Sequence, residues 1–262
     1  MADWFSSGLI GNFHERRQHV LPGGSKLQQN LTKIDTFTVN NQMKINDNKS
    51  KVMIFKKSKK YDFPLELAFE NGELLECLEE TKLLGIQLHS SLKWNSNTAA
   101  ICAKSMSKMW LLRRMKAIKM EPNLILDYYI KEIRSLVEQG VIIWNSGLTK
   151  AQINDIEKIQ KVALLIILGD QYSGYGMACK KFGIATLSSR RDELCTNFAI
   201  KLFKSPRCDQ FFTRNEEGVT RNVKELVKEN LCRTTRCYNA PHNYLTRLVN
   251  QNVARIVKAQ KK

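Results

Sequence analysis

The sequence predicts an α+β fold: a small antiparallel sheet within residues 44–88, followed by a mostly α-helical region that runs nearly to the C-terminus. Short β-branched and apolar clusters separated by turn residues fill the stretch from Lys44 to Leu88, with Asn71-Gly72 between two of them as the positive-φ pair of a tight hairpin. Beyond Trp94 the apolar residues recur every three or four positions, the period of a helix face. A hydrophobic content of 43% over 262 residues is ample for a packed core.

In chain order, Trp4, Phe5, Leu9, Ile10 and Phe13 have mixed helical spacings until Leu21-Pro22-Gly23-Gly24-Ser25 interrupts them. Leu27, Leu31, Ile34 and Phe37 then predict an amphipathic helix over 25–40, with Ser25 as its N-cap. Ile45 and Val52-Met53-Ile54-Phe55 lie around Asn46-Asp47-Asn48, a strand approached through a turn. Leu65 to Phe69 and Glu73 to Cys77 form the arms of the Asn71-Gly72 hairpin, and Lys82 to Leu88 reads as a further strand of the same sheet. Helices are expected near 97–119, 122–143, 150–168, 188–204, 221–230 and 241–259. The best marked is 150–168. Thr149 and Gln152 have capping-box spacing, Ile153, Ile156, Ile159, Ala163, Ile166 and Ile167 form one stripe, and Gly169 is placed to end it.

Lys and Arg number 42 against 25 Asp and Glu, a formal net charge of +17, which is the profile of a polyanion binder. The longest apolar run, Val162 to Leu168, falls far short of the roughly 18 residues of a membrane span, so no membrane partner is expected. The N-terminal residues lack the regions of a signal peptide, and an odd seven cysteines scattered through the chain point to reduced thiols. The expectation is an intracellular protein, nuclear or cytoplasmic.

A set of linked spacings adds to this. Leu27-Gln28-Gln29-Asn30-Leu31, Phe37, Asn41, Met43, Ile45-Asn46 and Lys49 resemble the region just after the catalytic turn of LINE-like (jockey-type) non-LTR retrotransposon reverse transcriptases. Leu84-Gly85-Ile86 and then Leu92-Lys93-Trp94 look like that family's primer-grip hairpin and entry to the thumb. Leu111-Leu112-Arg113-Arg114, Trp144-Asn145-Ser146-Gly147-Leu148 and Glu157-Lys158-Ile159-Gln160-Lys161 are similar to its helical region after the polymerase domain. Thr186-Leu187 with Arg190-Arg191, and Arg233-Thr234-Thr235-Arg236 leading to Tyr244-Leu245, resemble its C-terminal tail. The resemblance implies a remnant of the pre-catalytic palm and fingers at 1–24 and a residual palm with a primer-grip-like hairpin at 25–95. A helical thumb-like region at 96–205 and a basic helical tail at 206–262 would follow.

The N-terminal stretch departs from the family. Trp4-Phe5-Ser6-Ser7, Leu9, Arg16, Gln18 and Val20 resemble a segment that the family follows with a Pro-Gln-Gly stretch and an aromatic-x-Asp-Asp turn, but here the post-catalytic helix comes at once. Two-metal nucleotidyl transfer needs carboxylates converging on Mg²⁺, and the sequence has no Asp-Asp pair. Asp35 and Asp47 fall on a predicted helix and turn with no reason to converge. The expectation is a chain without catalytic residues and without a cofactor, Mg²⁺ belonging only to the intact family enzyme, that binds RNA or DNA without sequence preference. A host-retained protein-interaction module and a truncated gene model of an active polymerase are the alternatives. Exposed apolar surface around 4–13 and 45–86 would mark where a lost palm had packed.

The candidate phosphate-contacting residues are basic. Lys49 matches a family lysine near the leaving pyrophosphate, although a solvated lysine beside a strand is the favoured reading. Lys56, Lys57, Lys59 and Lys60 form a run suited to nuclear targeting, to phosphates or to a plain hairpin tip. Lys104, Lys108, Lys116 and Lys119 fall within a third of a helix circumference at about 100° per residue. Cys208, Cys232, Cys237 and His242 have spacings unlike those of zinc knuckles, so no metal is expected there. His14 and His89 read as structural, and Gly174-x-Gly176 is too short for a dinucleotide loop.

Overall fold

Met1–Glu79 and Glu80–Lys262 form separate units in the computed structural model, which describes residues 23–46, 49–55, 67–69, 72, 74–215 and 225–260. In the first unit α1 (Gly23–Asn40) begins two residues before the expected N-cap, so Ser25 lies inside its first turn. The Gln28 side chain acts as a one-residue strand neighbour: its amide Nε2 donates to the Ala68 carbonyl at 2.7 Å and its Oε1 accepts from the Ala68 N–H at 3.2 Å. Leu67 and Phe69, on either side, are buried. The chain reverses at Gly72 (φ 82°), with a single antiparallel bridge between Ala68 and Leu74, where the Asn71-Gly72 hairpin is expected. β1 (Lys51–Val52) pairs with β2 (Glu76–Cys77) in parallel, Lys51 opposite Glu76, and the two side chains close an ion pair at 2.6 Å. The expected single antiparallel sheet is therefore corrected. Strands of two residues carry too few side chains for an alternation pattern to set their direction.

The second unit opens with an antiparallel hairpin, β3 (Glu80–Leu83) and β4 (Ile86–His89), which forms its own two-stranded sheet. Lys82–Leu88 is thus not one strand. Leu84 (φ 49°) and Gly85 (φ 87°) make a two-residue turn with both φ positive, the conformation that matches strand twist. Gln139 Nε2 donates to the Leu84 carbonyl at 3.0 Å and holds that turn against the helices of this unit.

The rest is helical. α2 (Asn95–Ala117) packs along α6 (Lys150–Leu168). The expected helix 122–143 is corrected to α3 (Pro122–Tyr128), a π-helical turn (Tyr129–Arg134), α4 (Ser135–Glu138) and α5 (Val141–Trp144). The break falls at Gly140 (φ 61°), where a Cβ would lie 2.2 Å from Ile86 Cδ1, so β4 and α5 meet over a bare backbone. A Cβ on Gly147 would likewise strike the Trp94 indole 2.4 Å from Nε1. α6 has the expected capping box, Thr149 and Gln152 each bonding the other's backbone, and Gly169 ends it. α7 (Tyr175–Phe182), α8 (Leu187–Lys204), α9 (Cys208–Phe211), α10 (Thr235–Tyr238), α11 (Pro241–Gln251) and α12 (Val253–Gln260) complete the unit. Pro241 at the first position of α11 and Asn252 between α11 and α12 bound what the sequence presents as one helix, 241–259.

The helix expected over 221–230 is absent from 225–230, while 221–224 lie outside the described residues. Val227 bridges Arg214, and the Asn250 amide accepts from the N–H groups of Leu226 (3.0 Å) and Val227 (3.2 Å) while donating to the Val227 carbonyl at 3.0 Å. One side chain two dozen residues away thus satisfies the backbone that a helix would have satisfied internally. Among the described residues no helix is long and apolar enough to cross a membrane.

The core of this unit joins Trp94, Met109, Leu112, Tyr129, Ile133, Trp144, Ile156, Ile159 and Ile167. Tyr129 is fully buried and donates to Gln160 Oε1 at 2.8 Å. Burial first, with Glu157 nearby, raises its hydroxyl pKa well above the ordinary tyrosine value; burial and the bond to Glu157 do the same for Tyr175. The folded phenols stay protonated at a pH where unfolded ones ionise. Stability from this source is complete below pH about 10 and declines as pH rises further. Urea midpoints measured on the alkaline side should therefore fall above that pH, and Tyr129→Phe should flatten the fall.

Candidate nucleic-acid interface

A helix of 23 residues offers several faces, and α2 uses its own unevenly. Asn97, Thr98, Ile101, Ser105, Met109 and Leu112 are buried and define the side that meets the rest of the unit. Lys104, Lys108 and Lys116 border that buried side, because the arc they occupy is centred on nearly the same direction, while Lys119, expected on the same helix, lies beyond its end at Ala117 with φ 56°. Two of them are engaged within the protein. Lys108 Nζ closes an ion pair with Glu132 at 2.5 Å, and Lys116 Nζ donates at 2.8 Å to the Ile167 carbonyl, one of the unpaired acceptors ending α6. Lys104 and Lys119 are exposed and meet no carboxylate among the described residues.

The opposite side of α2 is exposed along its whole length: Ala99, Ala103, Met106, Trp110, Arg113, Arg114 and Ala117. Trp110 is 60% exposed, in contrast to Trp94 (4%) and Trp144 (0%). The Arg114 guanidinium sits 5.6 Å from the centre of its ring, a cation–π pair on the surface. No Asp or Glu occurs in α2, and neither Arg113 nor Arg114 is ion-paired among the described residues. Sequence reasoning that followed the lysines passed over this face. Its signal was available in Met106, Trp110 and Arg113-Arg114, spaced one helical turn apart.

The other predicted residues do not gather around it. Lys49 is exposed, its N–H bonded to Asn46 in a turn. Lys56, Lys57, Lys59 and Lys60 lie outside the described residues, as do His14 and Asp47. Leu84 and Gly85 form the β3–β4 turn, Leu84 exposed, while Ile86 is buried in the core. Asp35 is buried on α1. Gly174 precedes α7 and Gly176 lies in its first turn. His89 Nδ1 accepts from the Ser91 N–H at 3.0 Å and lies 2.8 Å from the Ser91 hydroxyl, a contact within one turn that the sequence spacing did not suggest. Cys232 and Cys237 bring their sulfurs within 3.3 Å, and Asn243 Nδ2 donates to Cys232 Sγ at 3.2 Å. Cys208 is buried, and His242 stacks on Phe212 with ring centres 6.4 Å apart. Among the described residues no three His, Cys, Asp or Glu side chains are grouped to hold a metal ion.

Polar residues of the helical region and C-terminal tail in the resemblance converge elsewhere, at the start of α8. Glu157 on α6 is buried; its Oε1 accepts from the Leu187 N–H and its Oε2 from the Ser188 N–H, both at 3.0 Å, and Tyr175 donates to it as well. Arg191 is 1% exposed, and its Nε donates to Asn145 Oδ1 at 2.9 Å. Its guanidinium pKa is lowered by burial and held up by Glu157. Arg190 joins Glu138 at 3.1 Å and Glu193 at 3.2 Å. This cluster ties α4, the turn after α5, α6 and α8 together.

Comparison of the chain with protein-family models, with curated proteins and with solved structures finds no match.

Proposed function

We propose that this chain is a relic of a non-LTR retrotransposon reverse transcriptase that no longer polymerises and holds RNA or DNA without sequence preference. The observation that carries the binding half of this reading is electrostatic. A chain of net charge +17 exposes Lys104, Arg113, Arg114 and Lys119 on and just after a helix that contains no acidic residue. Phosphates are the natural counter-charge for such a surface, and binding would release their condensed cations. The non-catalytic half is supported by the missing Asp-Asp pair, since two-metal chemistry depends on aligned carboxylates. An intracellular site, nuclear or cytoplasmic, follows from the same reading.

A fluorescent RNA–DNA primer–template titrated over a salt series, with primer extension run in the same tubes, tests both halves. The expected result is affinity that falls steeply with salt, by a log–log slope of about −0.9 per phosphate contacted, and no extension with Mg²⁺ or Mn²⁺. Extension overturns the non-catalytic half. Absence of binding at low salt favours a second reading, a protein-interaction module, for which the exposed Leu27, Phe37, Val39 and Met43 on and beside α1 speak.

A further inference from the structure

We infer that the outer face of α2 takes single-stranded rather than duplex nucleic acid, with Trp110 as a stacking platform for an unpaired base and Arg113 and Arg114 holding the flanking phosphates. This rests on the proposed nucleic-acid binding and narrows it to one form of the ligand.

The face combines three properties that phosphate attraction alone does not require. Trp110 is more than half exposed, whereas the other two described tryptophans are buried. Ala99, Ala103 and Ala117 on the same side of the helix are small, so the long side chains bordering the ring on this face are Met106, Arg113 and Arg114. Met106, 42% exposed and one turn before Trp110, adds a polarizable thioether of the kind that packs well against a ring. Arg113 and Arg114 follow Trp110 by three and four residues, so guanidinium and indole are neighbours on the helix surface, and Arg114 already lies over the indole.

A duplex presents phosphates but keeps its base faces stacked inside, and an exposed indole gains nothing from it. An unpaired base has a free π-face, and stacking on an aromatic side chain is a main source of sequence-tolerant single-strand affinity. The charge argues against an apolar or basic protein as occupant: the two cations beside the indole meet no carboxylate among the described residues, and their counter-charge must come from the ligand.

Trp110 also supplies the readout. In a Trp4→Phe background, which removes the tryptophan outside the described residues, Trp110 is the accessible fluorophore. It should be quenched by oligo(dT) and oligo(U) and far less by a hairpin duplex of equal charge. Trp110→Ala should weaken oligo(dT) binding by about tenfold or more while leaving duplex binding within about twofold and the thermal midpoint unchanged. Trp110→Phe should recover most of the loss. Replacing both arginines by glutamine should weaken both ligands and lower the single-strand salt slope by about one to two. Salt-dependent binding that Trp110→Ala leaves untouched overturns this inference while the proposed function stands. No binding of either form overturns both. A dimer in sedimentation that Trp110→Ala dissociates assigns the face to a second copy and overturns the single-strand assignment.

Discussion

Glu157→Ala is expected to cost the helical unit about 3–5 kcal/mol, read as a drop in the urea midpoint followed by far-ultraviolet circular dichroism. The carboxylate is 8% exposed and has four jobs at once. It accepts the Leu187 and Ser188 N–H groups at the start of α8, where the Thr186 side chain accepts the Ser189 N–H. It accepts the Tyr175 hydroxyl, and it is the nearby negative charge that supports the buried Arg191 guanidinium. Alanine leaves two helix-terminal donors and a phenol without this acceptor, and leaves Arg191 charged and buried with the Asn145 amide as its acceptor. Glu157→Gln keeps an acceptor in place but removes the charge, so about half the loss should remain. A midpoint equal to that of the parent would show that α8 starts without this carboxylate.

Trp144→Ala should have a loss of similar size, about 3–5 kcal/mol. The indole is fully buried at the end of α5, and its Nε1 donates to the Gln139 carbonyl at 3.0 Å across the Gly140 turn. Truncation opens a cavity in the buried core of this unit and removes the bond that closes the turn. Trp144→Phe retains most of the volume and loses the donor, and should cost about 1–2 kcal/mol. Near-ultraviolet circular dichroism together with thermal melts separates the two cases: loss of the aromatic signal in the alanine variant alone marks loosened packing.

What was legible in the sequence was local chemistry. The capping box at Thr149 and Gln152 and the Gly169 stop act within one helix, and a single-chain reading recovers them. Asn71-Gly72 likewise marks a reversal, because a positive φ at Gly72 is a local demand. The misses involve partners distant in the chain. The extended segment at Val227 depends on the Asn250 amide, and the parallel pairing of Lys51 with Glu76 depends on how two dozen intervening residues return. The lysine arc on α2 was a correct count on an unknown phase: the same arc is where Ile101, Met109 and Leu112 point into the core. Lys108 and Lys116 consequently serve neighbouring helices, and Arg113 and Arg114 lie with Trp110 across the axis. The buried polar cluster at Glu157 was visible only as unexplained identities, because a buried carboxylate and a solvated one look alike in a helix-period pattern.

The π-helical turn at Tyr129–Arg134 gives the segment the behaviour of a vernier. In an uninterrupted α-helix each step of four residues advances about 40°, so three steps from Ile125 to Val137 would sweep about 120° and carry the last side chain off the face of the first. Yet Ile125, Tyr129, Ile133 and Val137 are all fully buried in one line. The wider turn absorbs the drift by taking up surplus chain, as an i→i+5 turn does. Drawing it to the normal α pitch with every residue retained would restore that drift and rotate everything after it by about 120°. The bond from Gln139 to the β-hairpin would then be lost, so the wide pitch of this short stretch sets the angular register between the hairpin and the helices behind it.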